Sequence, residues 1–501
     1  MGATVGCAQC HDHKYDPYSI KDHYAMAAFF SDLHDEGFNG NSLPTRRPPE
    51  MMFFSDADEQ ELARLEKEMA NLVGSDKLAD ALKKEAEIAK LKANKKRKPA
   101  DDKKLAQLEK SFEQIVSTLK KDKWNKLITE KKAVEKRGRY TMIAAAKPHR
   151  TIRVLPRGNW LDDSGAVVTA AIPEFMGKLS TPKHATRLDL ANWLTDPKDG
   201  TGGLTARVFA NRFWYLYFGS GISRSLEDFG GQGEPPANGP LLDNLAVAFY
   251  ESGWNVKALV RLIVTSRAYR QSSLCSPELH ERDPYNQLVA RQSRYRLPAE
   301  VIRDNALALS QLLIDEAGGS SAKPYQPSGY YRHLNFPTRK YQHHSDHKQW
   351  RRGVYVHWQR QFLHPMLKAM DAPTREECTA ERPRSNTPNA ALVLLNDPTF
   401  IEAARTLAYR IMKEGDDSTN SRLDLAYQLV VSRLPDDEER AIMTNLLKTT
   451  YEEYKMNAKS AVELLNVGQA PKPSDVDATE LVSWTAVTRA LLNLNETTTR
   501  N

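Results

Sequence analysis

The sequence has no run of about 18 consecutive apolar residues, so it encodes no membrane-spanning helix. Cysteine is scarce, four residues in 501, which excludes a disulfide-built scaffold. Gly-x-Ser-x-Gly, Gly-x-x-x-x-Gly-Lys and His-Glu-x-x-His are all missing, and with them the common hydrolase, nucleotide-binding and zinc-protease signatures. No repeat of fixed period occurs, which sets aside solenoids and propellers. Charge of one sign is lacking too: 71 Lys and Arg stand against 64 Asp and Glu, a formal +7. That balance is too even for the concentrated basic face that nucleic acid requires. The opening Met1-Gly2-Ala3-Thr4-Val5-Gly6 has neither the basic stretch nor the apolar stretch of an export signal.

What is present describes a folded, multi-domain, mainly α protein. An apolar fraction of 40% with 27% charged residues is ordinary for a globular chain, and the length exceeds what one core supports. Residues 1–55 read as a motif-bearing loop and then a helix, with Tyr24, Ala25, Ala28, Phe29 and Leu33 near helical spacing. Asn39 to Pro44 breaks that pattern. Over 56–135, Leu62, Leu65, Met69 and Leu72, and then Leu105, Leu108, Phe112, Ile115 and Leu119, follow the alternating three- and four-residue steps of a coiled-coil seam. Pro99 separates the two halves. The pattern predicts an antiparallel coiled-coil hairpin whose tip carries Lys95-Lys96-Arg97-Lys98, a solvated charge cluster. Residues 136–180 contain the β-prone runs Tyr140 to Ile143 and Thr151 to Leu155, which predicts a small β-rich segment. Residues 181–501 are mainly helical, interrupted by Gly- and Pro-rich loops such as Gly230 to Pro236 and Tyr325 to Tyr331.

Chemistry concentrates in Cys7-Ala8-Gln9-Cys10-His11. Two thiols at this spacing reach the two vinyl groups of one porphyrin, and the next residue turns an imidazole to the iron. Cys7 and Cys10 are therefore candidate thioether partners of a covalent haem c, and His11 is the candidate iron ligand. Met26, His13, His23 and His34 are the nearest candidates for a second axial ligand. C-x-x-C also serves zinc sites and redox dithiols. A non-haem reading therefore stays open, in which Asp12, His13 and Asp16 join the thiols around zinc or iron, or alternatively form a hydrogen-bonded turn. Cys275 and Cys378 stand alone and read as buried free thiols.

Two further groups of residues invite a functional reading. His343-His344-Ser345-Asp346-His347 is rich in ligand-type side chains, but the flanking Lys348 to Arg352 favour an exposed polar loop over a metal pair. Arg351, Arg352, Asp371 and Arg375, with Trp350, Trp358 and Tyr330 to stack on sugars, allow an enzyme acting on extracellular polymer.

Read together, several segments carry a family resemblance. They are Gly6-Cys7-Ala8-Gln9-Cys10-His11-Asp12-His13-Lys14-Tyr15-Asp16-Pro17, Leu204 to Arg212, Asp228-Phe229-Gly230 with Gly233-Glu234-Pro235-Pro236, Leu262 to Ser266, and Asn386-Thr387-Pro388 with Leu394 to Pro398. The chain resembles the planctomycete-type cytochrome c family, in which a cytochrome c module precedes two uncharacterised domains. The resemblance implies that 1–55 is the end of the first of those domains and 181–501 the second, the export signal and cytochrome module having been lost ahead of Met1. It further implies an extracytoplasmic setting, periplasm or cell surface, and a redox or electron-transfer role with a redox partner protein. The competing expectations are a non-haem metal-binding surface or assembly protein and the polymer-directed enzyme.

Overall fold

The computed structural model describes residues 1–34, 49–94, 98–179, 184–334 and 340–500. The Asn39 to Pro44 break and the Lys95-Lys96-Arg97 part of the charged tip lie outside them. Helices dominate, and strands occur only as short two-stranded antiparallel pairs. The chain divides into two compact units, Met1–Phe29 with Thr151–Asn501, and Phe30–Arg150.

The first helix, α1 (Ile20–Ala28), begins at a reciprocal capping box. Ser19 accepts the Asp22 N–H while the Asp22 carboxylate accepts the Ser19 N–H, satisfying two donors that a helix start leaves unpaired. It belongs to the larger unit.

The smaller unit is built on four helices. Ser55 caps α2 (Asp56–Val73), whose first turn carries Asp56, Asp58 and Glu59 against the positive end of the helix dipole. Gly74, at φ +96, separates it from α3 (Ser75–Ala93), and Pro99 opens α4 (Pro99–Glu113), followed by α5 (Lys121–Glu135). Helix α2 packs on α5 and α3 on α4, so the chain runs out through α2 and α3 and returns alongside them through α4 and α5. Leu65, Met69, Ile88, Phe112, Trp124 and Leu127 fill the interior. Leu119 does not belong to it: it is 98% exposed, because α4 ends at Glu113 and Thr118–Lys120 is a 3-10 turn that carries the side chain off the seam. Trp124 is fully buried instead, edge-on to Phe112 with ring centroids 5.8 Å apart.

The β-prone runs do not form one segment. Strand Arg139–Met142 pairs with Glu50–Phe53, which precedes the helices, and Ala145–Ala146 pairs with Leu33–His34, all within the smaller unit. Strand Ile152–Arg153 pairs with Val167–Val168 in the larger unit. Period-2 patterning identifies a strand but not a partner remote in sequence.

The larger unit continues through α6 (Arg187–Thr195), α7 (Gly202–Phe218), α8 (Gly239–Glu251), α9 (Val256–Thr265), α10 (Pro277–Arg282), α11 (Ala299–Leu309), α12 (Pro365–Ala369), α13 (Pro388–Asn396), α14 (Pro398–Glu414), α15 (Thr419–Val431), α16 (Asp437–Met456), α17 (Ala458–Leu465) and α18 (Ala478–Leu492). One core joins α7, α8 and α9 through Trp214, Phe218, Leu242, Phe249 and Ile263. A larger one is centred on α14 and α18, with Phe400, Leu407, Tyr427, Trp484 and Leu491 fully buried. Buried charges hold the loops against this core. Arg303 donates to the Gln349 and Arg351 carbonyls, and Arg351 to those of Ser320, Glu316 and Gly318. Arg351, expected in an exposed polar loop, is thus 1% exposed; carbonyl oxygens replace water at Nη1 and Nη2 and offset part of the cost of burying the charge, while Nε is left without a partner.

Candidate functional site

The thiol-bearing pentapeptide begins in a 3-10 turn, Gly6–Gln9, anchored by Ala8, whose side chain is fully buried. Cys7, Gln9, Cys10 and His11 face solvent, and both thiols are free. Helix α1 pins the turn from behind: the Tyr24 hydroxyl donates to the Gln9 carbonyl at 3.0 Å, and His23 Nδ1–H donates to the Val5 carbonyl at 3.1 Å. Burial, and then the Cys10 thiol, push the Tyr24 phenol upward, so it stays a donor. From the side, Gly158 closes on Cys10. A Cβ there would stand 2.6 Å from Cys10 Sγ, and the backbone has φ +69, a conformation that glycine adopts without strain. Trp160 and Leu161, 79% and 72% exposed, follow on the same loop. No local spacing in the sequence connects Gly158 or Tyr24 to the motif; only the fold brings them there.

The two histidines of the motif are in opposite tautomers. His11 Nδ1 lies 2.6 Å from the Asp12 carbonyl oxygen, which only accepts, so Nδ1 carries the proton and Nε2 keeps an unshared pair at an exposed position. His13 Nδ1 accepts the backbone N–H groups of Tyr15, at 3.3 Å, and Asp16, at 3.0 Å, so its proton sits on Nε2. His13 is 8% exposed and its Nε2 has no partner. A metal takes the bare nitrogen of a neutral imidazole, and orientation by a hydrogen bond from the other nitrogen strengthens such a ligand. His11 meets that requirement and His13 does not.

Each neighbouring carboxylate has one oxygen committed to a backbone N–H, while Asp16 Oδ2 is buried without a hydrogen-bond partner. Asp12 Oδ1 accepts the Ile20 N–H at 2.8 Å, at the start of α1. Asp16 Oδ1 accepts the Gly231 N–H at 2.8 Å, and a Cβ on Gly230 would stand 2.7 Å from Asp16 Oδ2. The loop that receives Asp16 is shaped by the residues quoted above from the second region. Buried Asn211 holds Ser223 through a donated and an accepted bond, at 2.8 and 3.0 Å, Arg212 donates to the Leu226 carbonyl, and Asp228 accepts the Gly230 N–H. Among the described residues, no three His, Cys, Asp or Glu side chains form a group that could hold a metal ion.

The remaining sequence candidates are dispersed. His347 opens a 3-10 turn and its Nε2 lies 3.7 Å from Glu316, while His344 Nδ1 accepts the Lys323 N–H. Trp350 Nε1 donates to Glu402, the Tyr330 hydroxyl to the Leu363 carbonyl, and Trp358 Nε1 to the Pro373 carbonyl. Asp371 accepts from Arg296 and Ser385. Cys275 and Cys378, expected to be buried, are exposed, because both fall on loops and not on apolar helix faces.

Residues 186–447 match the family described as protein of unknown function DUF1553 (PSD1), and residues 1–35 match that described as protein of unknown function DUF1549 (PSCyt2). Two uncharacterised domains in this order agree with the pairing that the resemblance implies, and neither match is a cytochrome c module. No curated protein and no solved structure matches the chain. No helix among the described residues is long and apolar enough to cross a membrane.

Proposed function

From the premise that this chain belongs to the DUF1553 family, which more than half of it matches, we propose that it is an extracytoplasmic redox or electron-transfer protein carrying a c-type haem on Cys7, Cys10 and His11. The observation that carries this reading is the state of the motif: two free, exposed thiols on one turn and an exposed imidazole with a bare Nε2. This donor set suits two thioether bonds and one axial ligand. Bound there, haem supplies a one-electron couple at iron. The chain's part is to hold the turn through Tyr24 and His23, to keep His11 in its ligating tautomer, and to present Trp160 and Leu161 as apolar surface for a redox partner. Covalent attachment of this kind is made outside the cytoplasm, which is where the reading places the protein.

The test is a pyridine haemochrome spectrum and an intact mass of the full chain, exported from a host with c-type maturation machinery. The expected result is one covalent haem, absent from the double variant Cys7→Ala/Cys10→Ala and retained in His11→Ala with an altered Soret band. An exported wild-type protein with the mass of the polypeptide alone would overturn the proposal.

A further inference from the structure

Away from the motif, a cavity of about 480 Å³ opens between the loop 370–384 and the start of α11. Its charged lining consists of Arg296, Arg375, Arg382 and Arg384 against Glu300 and Asp371, a surplus of two positive charges. The six are unequally engaged. Arg382 is spent on Glu300, which accepts at 3.1 and 2.8 Å. Arg296 donates to the Met370 carbonyl and to Asp371, while its Nε and Nη1 are buried without partners. Arg384 lies over the rings of Tyr215 and Tyr295, 4.7 and 4.6 Å from their centroids, and gives one bond to the Gly219 carbonyl. Arg375 makes neither an ion pair nor a hydrogen bond among the described residues. It is exposed, its guanidinium carbon 3.7 Å from the centroid of the Trp358 ring, at a left-handed φ of 62°.

A guanidinium stacked on an aromatic face is fixed in orientation while its in-plane donors stay free, the state from which a planar fork gives bidentate bonds to an oxyanion. The half-buried Arg296, opposed by one carboxylate that Ser385 also shares, adds positive potential beneath the cavity. A positive φ at a non-glycine residue costs energy and is sustained only where the surroundings enforce it. We infer that this cavity binds a small organic molecule through a carboxylate, sulfate or phosphate group, with Arg375 and Arg384 as the principal donors. The volume is in the range of small-molecule sites and exceeds the need of a bare ion. The site is independent of the haem reading.

Titration of the full-length protein with inorganic sulfate and with glucuronate, followed by Trp fluorescence, tests this and separates a tetrahedral from a planar oxyanion. Saturable binding of at least one is expected, with the signal lost in Trp358→Phe while calorimetric binding persists. Arg375→Gln is expected to weaken binding at least tenfold and Arg375→Lys less than Gln. Because Arg375 holds no hydrogen bond among the described residues, its variants keep the wild-type far-UV circular dichroism and thermal midpoint. Absence of saturable binding by either probe, or equal affinity in Arg375→Gln and wild type, overturns the inference.

Discussion

At the scale of single residues, the protonation state of buried side chains is set by their surroundings. His364 is 3% exposed; its Nε2 donates to the Tyr325 carbonyl at 2.6 Å, and its Nδ1 accepts the Met366 N–H at the start of α12. Both nitrogens are satisfied by the neutral ring. Burial, and then Arg303, lower its pKa from 6.5 to about 4, partly opposed by the Tyr325 carbonyl. A depressed histidine pKa means that the unfolded chain binds the proton more readily. The contribution to stability is therefore complete above pH 6.5 and is lost as pH falls from 6.5 to about 4. The loss is expected to reach about 3 kcal/mol, at about 1.4 kcal/mol per unit. Urea denaturation of wild type and His364→Gln across that interval checks it: the difference between the two midpoints should change with pH, and a constant difference would show that His364 is not the group responsible. Such a residue is invisible to spacing rules. Cys7, Cys10 and His11 could be proposed from the sequence because their residues lie within five consecutive positions, whereas Gly158 reaches Cys10 only through the fold.

At the scale of elements, helices were legible where apolar periodicity persisted and failed where it was interrupted. Leu65 and Met69 lie inside as the 3-4 steps require, but Leu119 is outside because the helix ends before it. Connections among the elements of the larger unit rest on polar groups that no period reports. Glu402 on α14, fully buried, accepts the Trp350 indole N–H at 3.0 Å, the Tyr325 hydroxyl at 3.2 Å and the backbone N–H groups of Gln469 and Ala470. One carboxylate thereby joins three separate loops to one helix. Glu402→Ala leaves all four donors unpaired, those of Tyr325 and Ala470 buried and those of Trp350 and Gln469 half-buried, and is expected to cost about 3–5 kcal/mol, the range for stripping one partner from a buried charged network. Glu402→Gln retains one acceptor oxygen and should lose less. Equilibrium unfolding of the three proteins decides this, and equal stability of wild type and Glu402→Ala would mean that water satisfies the donors.

At the scale of the whole molecule, two compact units with separate interiors give a thermodynamic expectation. The Phe30–Arg150 unit is centred on Trp124, and the larger unit on the α14–α18 core around Trp484. The sequence implied several domains from length alone, but it could not show that Met1–Phe29 joins residues beyond 150 across an inserted helical unit, since that depends on pairings remote in sequence. Units with their own cores are expected to unfold as separate cooperative transitions in calorimetry. Truncating a large buried aromatic side chain typically removes about 3–5 kcal/mol from the unit that contains it, and changes far apart without shared partners act independently. Trp124→Ala should therefore lower one transition and leave the other in place, and Trp484→Ala should do the reverse, with the double variant showing both shifts. If each single substitution instead displaced a common transition, the two units would be one folding unit, and the insertion would be a matter of chain path alone.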